Sequence, residues 1–179
     1  EDDPDGVIRV LDAEAARPQS AELLRLQPGE DGFIRSVMRG LVRTRNAQGV
    51  GREVPFRLTA WDRGFLSLED PATGRLVFTS TSGAYAEDAG GVVTEGSAVT
   101  PGGGRLGAAE ALVAAAGGTV VRLVGLYAAG RGAHTYWLRR GAVGGGADAL
   151  LNLVHYEDAA AAAVGALRCD ATGVRAAGG

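Results

Sequence analysis

The sequence predicts an α/β fold, with a parallel sheet and crossover helices over about residues 75–168 preceded by an N-terminal segment of one amphipathic helix and β-hairpins. Three observations predict it. "DGFIRSVMRGLVRTR" (31–45) has a 3.6-residue apolar period, "EVPFRLTAW" and "FLSLED" (53–70) have a two-residue period, and a strand–helix–strand order follows Arg75. A boundary near Gly74 divides residues 1–74 from residues 75–179.

Taken in order, residues 1–30 are acidic and broken by Pro4, Pro18 and Pro28, with a short strand at "GVIRVLD" and a helical turn or two at "SAELLRL". The helix of 31–45 gathers Phe33, Ile34, Val37, Met38, Leu41 and Val42 on one face. Arg35, Arg39 and Arg43 form a stripe on the other, read as a solvated face. Asp62-Arg63-Gly64 and "PATG" are turns that set three short strands in hairpin order, the third being "RLVFTSTS". Beyond Gly83 comes the helix "RLGAAEALVAAAG", with Leu106, Ala109, Leu112 and Val113 on one face and Gly117 and Gly118 ending it. "GTVVRLVGLY" is an apolar run suited to a parallel strand covered on both sides. "AAAAAVGAL" is a final helix, whose N-terminus Glu157 or Asp158 caps, with His155 beside that turn.

Composition narrows the chemistry. The 179 residues suffice for one substantial core. A balance of 18 basic against 21 acidic residues carries no chain-wide field that would attract nucleic acid, which is not an expected partner. Every basic residue is arginine, so mechanisms needing a tunable ammonium, such as a P-loop ATPase or a Schiff-base enzyme, are excluded for this chain. Cys169 is the sole cysteine; with His134 and His155 it offers no metal-ligand spacing, and no metal is expected. No apolar run approaches the roughly 20 residues of a membrane span. The first residues, "EDDPDG", lack a methionine and imply polypeptide upstream. The groups "PGGGRLG" and "VGGGAD" read as flexible loops.

Four blocks in order carry a family resemblance: "RLVFTSTSGAYAED", "RLGAAEALV", "VVRLVGLYAAGRGAHTYWLRRG" and "LNLVHYEDAAAAAV". Together they resemble the C-terminal half of the Rossmann domain in atypical, extended short-chain dehydrogenase/reductases, most of all the nucleoside-diphosphate-sugar epimerase-like proteins, including plant relatives. The fold so implied is an incomplete Rossmann-like parallel sheet. The resemblance places Thr81 at the family's catalytic Ser/Thr and Tyr85 at the tyrosine that follows it. It sets Arg122, Tyr127, Arg131, His134, His155 and Asp158 on the substrate side. It also implies NAD or NADP as cofactor and, from the plant relatives, a plastid location.

The sequence departs from the family at the acid/base tyrosine and its lysine, which map to Gly102 and Leu106, and no glycine fingerprint opens the first half. Two functions follow from the resemblance. One is a degenerate, non-catalytic binding or structural subunit. The other is an NAD(P)-dependent epimerase or reductase whose nucleotide-binding half lies outside this chain. An incomplete sheet leaves apolar strand faces to cover, which favours a protein partner or larger assembly as the cover over the chain's own N-terminal segment.

Overall fold

The protein was analysed as a computed structural model, which describes residues 5–12, 14, 21–28, 30, 32–60, 66–143, 146, 148–168 and 173–177. At its centre a mixed five-stranded sheet has the order β3 (Arg57–Ala60), β4 (Leu66–Asp70), β5 (Arg75–Thr81), β6 (Thr119–Leu123), β9 (Gly173–Ala177). β3, β4 and β5 pair antiparallel, while β6 runs parallel to β5 and to β9. This bears out an α/β fold. The parallel portion is three strands of a mixed sheet, and the hairpin continues it across the turn at Gly74, where φ is +68° and glycine is favoured.

Alternation along the strands assigns the two faces. Val77, Val121 and Leu123 point to one side and pack with α1 (Gly32–Ala47) and α4 (Tyr156–Arg168). Ser80 and Arg122 point to the other, where α2 (Gly104–Ala115) supplies Glu110. The core on the first face joins Val37 and Leu41 of α1 to Ala159, Ala160, Ala163, Val164 and Leu167 of α4. Alanines let α4 lie close on the sheet, and Gly40 lets α1 lie close on α4. A Cβ at Gly40 would collide with both Cγ atoms of Val164.

These contacts correct the expectation that a partner covers the parallel strands. β4 pairs one side of the β5–β6 pair, β9 pairs the other, and α1 with α4 fills the face between. β9 escaped sequence reading because "GVRAA" has little apolar alternation; main-chain pairing to β6, Val120 with Val174, makes it a strand.

Four further differences have physical causes. "SAELLRL" is not helical: Glu22–Leu26 is β2, antiparallel to β1 (Ile8–Leu11) with Ile8 opposite Leu26, so pairing overrides helix propensity. The run "GTVVRLVGLY" divides after β6, and Gly125–Tyr127 is β7, which pairs parallel with β8 (Leu153–His155) in a separate two-stranded sheet. "PGGGRLG" is no loop throughout, since α2 begins at Gly104. Arg35 leaves the predicted solvated stripe: it is buried, and its guanidinium donates to the carbonyls of Gly6 (2.5 Å), Leu26 (2.6 Å), Glu30 (2.9 Å) and Gln27. Arg39 and Arg43 remain exposed. Asp62-Arg63-Gly64, Cys169 and the Phe33 side chain lie outside the described residues.

α1 is also tied to the sheet by charge. Arg45 donates to Asp70 (2.6 Å) and to the Val54 carbonyl (2.5 Å), and its guanidinium lies 3.8 Å from the Phe56 ring centroid. Gly40→Val is expected to lower stability by about 1–3 kcal/mol through overpacking, and Val37→Asp by several kcal/mol through a buried unpaired charge. Urea unfolding measures both; an unchanged midpoint for Val37→Asp is incompatible with α1 packed as described.

Candidate functional site

Apart from Thr81, the residues singled out from sequence fall into two groups, each held by different contacts. The first lies between the sheet and α2. Glu110 accepts a hydrogen bond from Ser80 Oγ (2.5 Å) and two from Arg122, at 3.1 and 2.6 Å. Arg122 in turn lies 4.7 Å from the centroid of the Tyr85 ring. All four side chains are buried. Thr81 is not part of this group: it is exposed, and its Oγ1 accepts from the Gly83 N–H (3.1 Å), capping the 3-10 turn Ser82–Ala84.

Electrostatics give this group a structural character. Burial works to raise the Glu110 carboxyl, but the hydrogen bonds from Arg122 and Ser80 and the charge of Arg122 outweigh it and hold the carboxyl below its ordinary range. The same pairing raises Arg122 despite burial. A carboxylate held ionised in this way is a poor base for Ser80, and three hydrogen bonds already engage it. The group therefore clamps β5, β6 and α2 together. Ser80 and Glu110 were missed from sequence, although a glutamate at four-residue spacing from Leu106 and three from Val113 marks an inward-facing charge. Leu112, expected on that inward face, is 72% exposed, because the ion pair turns the Glu110 side of α2 to the sheet.

The second group lies at the carboxyl ends of β7 and β8. Their parallel register sets Tyr127 beside His155, with ring centroids 5.3 Å apart and edge to face. Arg131 lies 5.1 Å from the centroid of the Tyr156 ring. The 128–131 turn closes through Ala128 N–H to the Arg131 carbonyl, 2.8 Å. Gly132 then turns the chain into α3 (Ala133–Arg140) with φ +135°; a Cβ there would come within 2.9 Å of Tyr127 Cβ and 3.2 Å of His134 Nδ1. His134 is half-buried in the first turn of α3.

The α4 N-terminus is capped differently from expectation. His155 precedes the helix, and its Nδ1 accepts the Glu157 N–H (3.3 Å), as an N-cap side chain does. Glu157 and Asp158 are exposed in the first turn, where their charge complements the helix dipole. The structure thus brings Tyr127, Arg131, His134 and His155 to one strand end, with Asp158 in the adjoining turn. Arg122 and Tyr85 belong to the buried clamp. Among the described residues no group of three or more His, Cys, Asp or Glu could hold a metal ion, and no helix is long and apolar enough to cross a membrane.

With this geometry in view, the comparisons with known proteins bear on one half of the chain. Residues 1–89 match the family model of PuhC. That family is described as a photosynthetic complex reorganisation protein, and the matched stretch, just under half of the chain, runs from β1 through the turn after β5. No curated protein and no solved structure matches.

The PuhC match corrects the resemblance to short-chain dehydrogenase/reductases and the epimerase-like function it implied, both as enzyme and as degenerate nucleotide-binding subunit. The nicotinamide nucleotide rested on that resemblance alone. The physical reason for the misreading is visible. A Ser/Thr-rich strand end, an arginine in an apolar strand and a His-x-x-Asp before a helix here make a turn cap, a buried ion pair and a helix cap. Packing selects the same residue types as catalysis.

Two outcomes are expected. Glu110→Ala lowers stability by about 3–5 kcal/mol because it strands the Arg122 charge, whereas Glu110→Leu combined with Arg122→Met costs less than the single change; denaturant unfolding of the variants checks this. For pH, both buried carboxyls are depressed on folding, so their contribution is fully present above their ordinary values, 4.5 for Glu110 and 3.8 for Asp70. It is lost as pH falls through the lower folded values. Thermal melting from pH 6 down to pH 2 should show this decline, and Glu110→Gln should make it shallower.

Proposed function

We propose that the protein acts on a photosynthetic complex through protein–protein contact, taking part in its assembly or reorganisation, and that residues 1–89 carry the contact. The PuhC match over those residues carries this reading. The same stretch presents surface suited to it. Leu23 and Leu24 follow one another on β2 and therefore point to opposite sides of the strand, yet they are 68% and 46% exposed. The outer part of β2 thus leaves two large apolar side chains in water, while Leu26 at its end is buried. Arg39 and Arg43 add exposed positive charge on α1. Meanwhile Arg35 fixes the β1–β2 hairpin to α1, so the apolar strand is held on a rigid support.

The test uses immobilised protein and detergent-solubilised photosynthetic membranes, with pigment absorbance as the readout. Retention of a pigment–protein complex is expected, reduced about tenfold by Leu23→Ser with Leu24→Ser, equivalent to about 1.4 kcal/mol. Absence of retained pigment with wild-type protein overturns the proposal.

A further inference from the structure

Between β6 and α4 the chain leaves the main sheet as an excursion, β7–α3–β8, with its own two strands and a glycine-rich sequence after α3. This excursion lies outside the stretch matched by PuhC. Leu138 is 79% exposed, Val143 58%, Leu150 88% and Leu151 56%, a concentration of large apolar side chains in water. Arg139 and Arg140 close α3 beside them and are exposed.

Charge separates this region from the rest. Residues 125–155 hold Arg131, Arg139 and Arg140 against Asp148, three minus one, or +2. The whole chain is −3, so the remainder is −5. A basic, apolar segment in an otherwise acidic chain is complementary to an anionic apolar surface.

We propose that the β7–β8 excursion docks on a lipid bilayer surface bearing anionic headgroups. Leu138, Val143, Leu150 and Leu151 enter the headgroup boundary, and Arg139 and Arg140 keep their guanidinium groups at phosphate level while their stems lie along the apolar layer. Tyr136 suits the same depth: its ring is 57% exposed and its hydroxyl accepts from Arg140, 3.1 Å, so an apolar body carries a polar tip. α3 has eight residues, so this is surface attachment and not a span. This inference does not rest on the proposed action on a photosynthetic complex.

Cosedimentation of the full chain with protein-free vesicles tests it, using phosphatidylcholine alone and phosphatidylcholine with an equal part of phosphatidylglycerol. Binding to the anionic vesicles is expected to be about tenfold or more tighter than to the neutral ones and to weaken as salt is raised. Arg139→Gln with Arg140→Gln should lose about tenfold of that binding, and Leu138→Ser with Leu150→Ser should lose at least as much. All four side chains are exposed, and circular dichroism verifies that the variants stay folded. No sedimentation with anionic vesicles, equal binding to both compositions, or variants that bind as wild type would each overturn the proposal. Because the vesicles carry no protein, a failure here leaves the pigment-complex result untouched.

Discussion

The close approach of α1 to α4 at Gly40 is the constraint on which the other contacts depend. α4 lies on the sheet through alanines, which bring the helix close but bury little apolar surface each. The larger side chains come from α1, where Val37 and Leu41 join Val164, Leu167 and the sheet residues Val77, Val121 and Leu123 in a single cluster. A side chain at position 40 would push α1 away and open that cluster. The N-terminal helix is therefore part of the core of the C-terminal strands, and the parallel strands need no outside cover on this face.

Buried arginine performs most of the polar stitching. Arg35 joins the β1–β2 hairpin to α1 through carbonyls, Arg45 joins α1 to the end of β4 through Asp70, and Arg122 joins β6 to α2 through Glu110. Taking a guanidinium out of water is costly, and each site answers with several donors engaged at once, which a planar fork of five N–H groups supplies in a fixed geometry. A chain without lysine is suited to this use.

The two exposed apolar surfaces lie in different halves of the chain. The β1–β2 hairpin belongs to the stretch that matches PuhC, whereas the β7–β8 excursion lies beyond it. The aromatic and histidine contacts at the end of β7 and β8 fix the base of the excursion, Tyr127 on His155 and Arg131 on Tyr156.

Local pattern determined much of this protein by itself. The amphipathic period of 31–45 located the helix that spans Gly32–Ala47, alternation located β3 to β5, and the paired glycines after "AAA" ended α2, because each signal acts within one turn or one strand. Tertiary structure alone decided what those elements meet. β2 became a strand by pairing with β1, β9 by pairing with β6, and Arg35 and Arg122 became buried anchors because carbonyls and Glu110 arrive from distant positions. The same holds for the candidate site. Tyr127, Arg131, His134 and His155 were named through a family resemblance and not through a local pattern, and Ser80 and Glu110 acquire their role only when α2 closes on the sheet. A hydrogen bond or a buried charge depends on its partner's position in space, and local periodicity carries no record of a partner thirty residues away.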